Sequence, residues 1–480
     1  MSLVGNDLII PLNRPEYVAI PEGFLSALAW SAYEVAGLAK PADGKKLGLR
    51  FHQDSPALSG KAFTITSTEP VGEKLVSFQR ALGLHGVEAL DPQSTLGSAV
   101  LQSVRGTSSE KSSQIPASPL TPSLALMQNS VGLQSKQNPP DVAEILETMF
   151  DLGSGSLDGA TVGSLLIRAY DKRLEADPIL KAIEASVNEV VWSGGVKVRV
   201  GAPARNIKGK NISAYLSNTP FDWFAQSWTR LTSPDWVEAL PARVWVDWAT
   251  TTLRTIYAMG FLWETTWYES LAREILKPDS DNGFELESVL KGQESPITWK
   301  PNSSGAEIRD LSSKLKWRCF RSVDIRQLLE VWLKKDNRGQ LALSECVTLM
   351  RADRTLRAGL TSALSREKSS DSGPGKNLWE AIRYTLLVRE RGDHYGFFRT
   401  PGSRFLFADP GSEWLAVMVS LAAKGPGTMT DLGVVAESLH SMGASPDPKD
   451  LLGLLEKSGL ARGSADADLG VQVETAFGGY

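Results

Sequence analysis

Tryptophan is the feature that most restricts what this chain can fold into. Seven of its fourteen tryptophans fall between residues 221 and 267, and folded proteins place such large side chains in cores, interfaces or stacking platforms. The pairs Trp245/Trp248 and Trp263/Trp267 are spaced by three and four residues, which puts each pair on one helix face. Stacking of single-stranded bases also needs interleaved cations, yet only three arginines and no lysine separate the first tryptophan from the last. We therefore predict that the cluster forms the core of a helical domain, with a ligand pocket as the alternative.

The length of the chain requires more than one folded unit. At 480 residues it exceeds what one hydrophobic core normally supports. A composition that is 42% hydrophobic and 22% charged is typical of a globular protein. Helical periodicity dominates, with strand-like runs near both ends, so the sequence predicts a multidomain protein that is mainly α with α+β parts. The predicted segments are a mixed α/β N-terminal domain (1–105), a Ser/Pro-rich linker (106–140), a Trp-rich helical domain (141–277), a loop (278–306), a basic helical module (307–370) and a C-terminal module (376–480).

Local signals support these assignments. Asp177 followed by Pro178 is typical of a helix start, because the Asp side chain can cap free amides and proline suits the first turn. Residues 106–140 contain eight serines, five prolines and only three charges, and we expect too little apolar burial there to offset the cost of ordering. Residues 244–275 show an amphipathic helical pattern interrupted by charges. Since no stretch has eighteen apolar residues without a charge, no membrane span is predicted.

The charge distribution singles out one segment of the chain. Between Lys314 and Arg404, nineteen lysines and arginines occur with ten acids, a net charge of +9, although the whole chain carries −4. A basic island in an acidic chain favours a local anionic partner. The alternative is that this segment docks onto the protein's own acidic domains.

Six cations of this basic segment form the predicted nucleic-acid site. They are Lys334, Lys335, Arg338, Arg351, Arg354 and Arg357. The three arginines after residue 350 recur every three residues in the stretch 343–364, which the pattern predicts to be one helix, so they share one side of it. The other three lie at the end of the preceding helix and in the turn. A helix, a turn and a basic helix suit contact with backbone phosphates; a solvated helix face is the alternative.

The last hundred residues show the most regular pattern. A strand, three short helices and a terminal hairpin over residues 404–477 resemble a winged helix. The resemblance implies DNA binding through the third helix in the major groove. In this sequence that helix carries two lysines and two acids, and the wing carries two aspartates beside one arginine, a surface that repels phosphate. A protein-contact or dimerising winged helix is therefore the favoured prediction.

Signatures of catalysis and metal binding are absent from the sequence. It contains no phosphate-binding loop, H-E-x-x-H zinc motif or nucleophile elbow. Its four histidines lie far apart, and no cysteine pair has the spacing of zinc ligands, so neither a cofactor nor a metal is predicted. A total of two cysteines favours the reducing cytoplasm.

These observations predict a non-enzymatic, nucleic-acid-associated subunit of a larger bacterial assembly, with DNA preferred over RNA and other protein subunits as partners. The architecture loosely resembles accessory subunits of bacterial restriction or phage-defence systems, a resemblance of arrangement that no motif carries. It implies a role in antiviral defence. Two alternatives stay open. One is a protein-interaction scaffold without nucleic acid, and the other is an enzyme whose site is assembled from scattered Asp, Glu and Arg residues.

Overall fold

The chain is represented by a computed structural model. Most of the predicted N-terminal α/β domain and most of the predicted linker lie outside the residues that it describes. The described residues are 3–15, 18, 21–35, 80, 83–84, 99–100, 102–106, 117–127, 142–153, 155, 159–192, 195–199, 211–277, 284–291, 295–299, 305–367, 372–388, 393–400, 406–462 and 471–477.

Helices dominate these residues, and the strands are short, which confirms a mainly α protein with α+β parts. The helices are α1 (Gly23–Ala32), α2 (Pro122–Met127), α3 (Val142–Leu152), α4 (Val162–Ala176), α5 (Pro178–Val191), α6 (Pro220–Leu231), α7 (Pro234–Ala239), α8 (Ala242–Leu276), α9 (Leu286–Lys291), α10 (Gly305–Lys334), α11 (Leu343–Ala352), α12 (Arg354–Leu364), α13 (Pro374–Leu386), α14 (Ser412–Ala422), α15 (Leu432–Met442) and α16 (Pro448–Lys457). The strands are β1 (Tyr33–Val35), β2 (Val196–Val198), β3 (Ile297–Trp299), β4 (Phe398–Arg399), β5 (Phe407–Ala408), β6 (Met429–Asp431), β7 (Ala444–Pro446), β8 (Ala461–Arg462) and β9 (Gln472–Glu474).

The 35-residue helix α8 is the centre of the fold. It packs against α6, α10 and α13, and α10 also packs against α13. Every residue from Trp248 to Glu269 is buried, so the amphipathic pattern predicted for this stretch is wrong. The structure explains the buried charges differently, because partners from other segments meet them inside the protein, such as Asp393 for Arg254 and Arg326 for Glu264. No helix of the described ranges is long and apolar enough to cross a membrane.

The tryptophan cluster is a core, as predicted. All seven tryptophans between residues 221 and 267 are at most 5% exposed. The rings of Trp263 and Trp267 stack with centroids 6.1 Å apart. Trp245 and Trp267 donate their indole N–H groups to the backbone carbonyls of Leu231 and Leu8, both at 3.0 Å. These bonds let the rings of Trp245 and Trp267 be buried with their indole donors satisfied.

Part of the predicted Ser/Pro-rich linker is folded. Residues 117–127 include α2 and are buried except for partly buried Met127. Ser123 donates from its backbone N and its hydroxyl to the Glu184 carboxylate at 3.0 and 2.8 Å, and the Tyr170 hydroxyl donates to the Pro119 carbonyl at 2.8 Å. The linker prediction is therefore wrong for this stretch, because partners on α4 and α5 satisfy the polar groups that composition alone counts against burial.

The predicted start of α5 is confirmed, whereas the predicted loop 278–306 is not a loop throughout. The Asp177 carboxylate accepts hydrogen bonds from the amides of Ile179 and Leu180 at 2.8 and 3.2 Å, which confirms the predicted start of α5. The predicted loop 278–306, in contrast, contains α9, β3 and the start of α10. Strand β3 pairs in parallel with β7, between α15 and α16, and a partner so distant in sequence gives no local signal.

The C-terminal segment combines three helices with a small antiparallel sheet. Helices α14, α15 and α16 are followed by β8 and β9, and the sheet order is β6-β9-β8. The strand predicted at 404–409 belongs to a different pair, β4–β5, and the sheet instead takes β6 from between α14 and α15. Gly443 ends α15 with a φ of +108°, a conformation that favours glycine. The pairing of β7 with β3 ties this segment to the rest of the fold.

Candidate nucleic-acid interface

The predicted basic helix is interrupted in its middle. Helix α11 ends at Ala352 and α12 begins at Arg354, so the prediction of one continuous helix is wrong. The intervening Asp353 has an extended backbone, and its carboxylate accepts hydrogen bonds from the amide of Leu356 at 3.0 Å and from the indole of Trp332 at 2.9 Å. An N-cap with a partner on another helix favours a new helix start over continuation. The predicted shared helix face of the three arginines therefore does not exist.

Arg351 and Arg357 are bound to the end of the central helix. Arg351 pairs with the Glu274 carboxylate at 3.0 Å and its side chain is only 9% exposed. Arg357 donates to the carbonyls of Ile275 and Leu276, both at 3.2 Å. These are last-turn carbonyls of α8, which have no helical partner and carry the negative end of the helix dipole. Both arginines thus fasten the basic segment to α8, in agreement with the alternative that this segment docks onto the protein itself.

Arg338 connects the turn after α10 to the start of α12. Its guanidinium lies 4.7 Å from the centroid of the Trp332 ring, pairs with Asp336 at 3.3 Å and approaches Asp353 to 3.8 Å. The turn and the helix cap are thereby held together. Because Arg338 follows Lys334 and Lys335 closely and Asp353 directly precedes Arg354, this contact brings the remaining predicted cations to one end of the segment.

The remaining three predicted cations are free to meet a partner. Lys334, Lys335 and Arg354 are exposed, and within the described part of the chain no ion pair or side-chain hydrogen bond is found for them. The structure thus divides the six predicted residues into three that are engaged internally and three that face solvent.

Further cations near the end of α8 were missed by the sequence prediction. The buried Glu269 carboxylate lies 3.5 Å from Arg273, 3.6 Å from Arg318 and 3.7 Å from Arg321. Lys277 pairs with Glu274. The spacing of four residues between Glu269 and Arg273 is a helical signal, but the approach of α10 to α8 has no sequence signature. With Arg351 included, five cations contact these two glutamates, so these cations are engaged within the protein.

The C-terminal helix offers a weaker surface for phosphate. Lys449, Glu456 and Lys457 are exposed on α16, so cations and an acid alternate there. The two aspartates predicted for the wing lie outside the described residues. A charge-balanced helix does not attract the phosphate backbone strongly.

A polar cleft beside α10 was not predicted at all. It encloses about 450 Å³ and is lined by residues 12–15, α8, α10 and the start of α13. At its floor, Arg326 binds the carboxylates of Glu264 and Glu330, each at 2.8 Å. Burial raises the pKa of Glu264 to about 7. Only the packing of four separate segments assembles this site, which is why no sequence motif marks it.

Comparison with known proteins does not place the chain in a family. No protein-family model matches it, and a search of curated proteins found no significant match. Function is therefore inferred from the contacts, burial and charge of the described residues.

Proposed function

We propose that this protein is a non-enzymatic subunit of a larger cytoplasmic assembly that associates with nucleic acid, DNA in preference to RNA, through Lys334, Lys335 and Arg354. The observation that carries the proposal is the Arg338–Asp353 contact, which gathers three exposed cations at one end of a positively charged segment. Exposed lysines and arginines can neutralise backbone phosphates, and such contacts need no base-specific geometry.

The other three predicted residues have a positioning role in this proposal. Arg351 and Arg357 hold the segment on the end of α8, and Arg338 holds the turn against the cap of α12. A phosphate could recruit Arg351 only by breaking its ion pair with Glu274, which costs free energy in a partly buried place. The exposed cations carry no such cost.

The test is charge reversal of the exposed cations. A Lys334→Glu, Lys335→Glu, Arg354→Glu variant should lose at least about tenfold in affinity for a fluorescent DNA duplex at low salt. Each lost phosphate contact reduces the number of counterions released on binding, and this release favours the complex. Fluorescence anisotropy of the full chain measures the affinity, and a single strand and an RNA duplex of the same length test the preference.

A matched control variant has the same net charge as the test variant. Arg168, Lys181 and Lys197 are also exposed but lie on α4, α5 and β2, so their triple Glu variant carries the same charge change away from the proposed surface. It should retain most of the duplex affinity. Equal losses in the two variants would reduce the effect to net charge and refute the proposed site.

For the C-terminal segment we propose a winged-helix-like module that contacts another protein subunit. Its support is the order β6-β9-β8 beside three helices and the mixed charge of α16. Reversal of Lys449 and Lys457 to Glu should then leave duplex affinity unchanged. A loss as large as that of the Lys334, Lys335 and Arg354 variant would instead make α16 a DNA-contacting helix. A place in a restriction or phage-defence system is proposed on the resemblance of architecture alone.

A further inference from the structure

The cleft beside Glu264 combines charges with an apolar wall. Arg14 and Asn13 lie at its rim on the N-terminal segment, and Asn377 lies at the start of α13. Phe261 from α8 and Leu378 from α13 contribute apolar surface. A volume of about 450 Å³ is in the range of small-molecule sites, which also combine an apolar lining with a few polar groups.

Arg326 has unused hydrogen-bonding capacity at this site. A guanidinium has five N–H donors. The Nε group of Arg326 donates to Glu330, and Nη1 donates to Glu264 and to the Leu12 carbonyl at 3.0 Å. No partner for Nη2 is found among the described residues, and the side chain is 24% exposed, so two donors remain for a ligand.

Arg14, on the N-terminal segment, provides a second cation in the lining of the cleft. Its side chain is exposed, and the described residues supply it with no ion pair. Two guanidinium groups that line one cleft from different segments are suited to a carboxylate or a phosphate, which both accept paired N–H donors. The neighbouring apolar wall suits a ligand that also has a hydrocarbon or aromatic part.

We propose that this cleft binds a small organic anion, with its carboxylate or phosphate group between Arg14 and the Nη2 group of Arg326 and its apolar part against Phe261 and Leu378. This site is separate from the proposed nucleic-acid surface, and its residues include none of the six predicted cations.

Binding of such an anion is coupled to the protonation of Glu264. The charged and titratable groups that face Glu264 are Tyr268 on its own helix and Arg326 and Glu330 on α10. Arg14 also lines the cleft, and on α13 Lys376 pairs with Glu380. With Glu264 ionised, two cations balance two carboxylates. With Glu264 protonated, the cleft has one surplus positive charge. Since burial raises the pKa of Glu264 to about 7, this change occurs near neutral pH.

The test uses benzoate and sulfate, whose charges do not change near neutral pH, with isothermal titration calorimetry on the full chain. Benzoate should bind about fivefold more tightly at about pH 6 than at about pH 8, if the bound anion raises the pKa of Glu264 by about one unit. Glu264→Gln mimics the protonated carboxyl, so this variant should bind equally at both pH values and as tightly as the wild type at the lower one. Binding of sulfate in place of benzoate would identify a phosphate-type ligand.

Arg14→Ala provides an independent check, because an exposed side chain can be removed without risk to the fold. Affinity should fall by about tenfold, the usual contribution of a charge-assisted hydrogen bond, whereas Lys424→Ala, exposed beyond α14, should have no effect. The proposal is overturned if neither anion binds the wild type at about pH 6, or if Glu264→Gln keeps the wild-type pH dependence.

Discussion

At the scale of single residues, the charges buried along α8 decide how the fold is held together. Arg254 forms two hydrogen bonds with Asp393, at 2.8 and 3.1 Å, and also donates to the Thr385 and Leu387 carbonyls. Both charged side chains are nearly inaccessible. Burial of a charge is costly unless it is paired and hydrogen-bonded, so each of these groups depends on the other.

Removal of one partner should therefore be strongly destabilising. We expect Asp393→Ala to lower the free energy of unfolding by about 3 kcal/mol, because Arg254 keeps its charge in a buried place. Asp409→Ala is the matched control, since Asp409 pairs with Arg399 on the surface, and such pairs contribute about 0–1 kcal/mol. Urea unfolding measures both. Similar losses in the two variants would contradict the assigned role of the buried pair.

The raised pKa of Glu264 gives a pH-dependent stability of predictable sign. Burial moves its pKa from 4.5 to about 7, so the folded state holds the proton more tightly than the unfolded state. This contribution to stability is complete below about pH 4.5 and is lost as pH rises through about 7. Glu264→Gln should therefore gain stability relative to the wild type across this window. If the difference in unfolding free energy between the two proteins did not change with pH, this would count against a raised pKa of Glu264.

At the scale of elements, the capped break between α11 and α12 shapes the candidate interface. Asp353→Ala should cost about 1–2 kcal/mol of unfolding free energy, since it removes the acceptor for the Leu356 amide and the bond from the Trp332 indole. Asp353→Asn keeps a good N-cap and should cost much less. A continuous helix through residue 353 would instead make the alanine variant neutral or stabilising, which thermal and urea unfolding would show.

Two glycines should respond oppositely to substitution by alanine, because only one of them has a backbone conformation that favours glycine. Gly443 ends α15 with a φ of +108°, and an added Cβ would lie 3.4 Å from Pro296, so Gly443→Ala should destabilise by about 1 kcal/mol or more. Gly453 lies inside α16, where an added Cβ meets nothing within 4 Å. Gly453→Ala should stabilise by about 0.5–1 kcal/mol. A higher unfolding midpoint for Gly443→Ala than for Gly453→Ala would contradict the positive φ of Gly443 and the helical position of Gly453.

Elements whose signals are local could be predicted from sequence, and those with distant partners could not. The cap at Asp177 and the amides that it accepts from lie within one short segment, so the sequence predicts this helix start. The break at Asp353 lies in a continuous helical pattern, and one of its partners is Trp332 on α10. The site residues show the same limit, since the sequence identifies Arg351 as a cation but not Glu274, 77 residues away, as its partner.

At the scale of the whole molecule, the basic segment has two parts. One part binds the end of α8 through Arg351 and Arg357, so some of the basic island's charge is used within the protein. The other part, at Lys334, Lys335 and Arg354, leaves its charge in solvent. The nucleic-acid proposal depends on this second part alone, so it predicts a small number of phosphate contacts and a modest salt dependence.

The most direct measurement is the salt dependence of duplex binding by the wild type and by the variant with alanine at positions 334, 335 and 354. If all three cations contact phosphates, the slope of log affinity against log salt should be shallower in the variant by about 2.7, or about 0.9 for each lost contact. An unchanged slope, or no wild-type binding at low salt, would contradict the proposed interface and favour the protein-interaction scaffold.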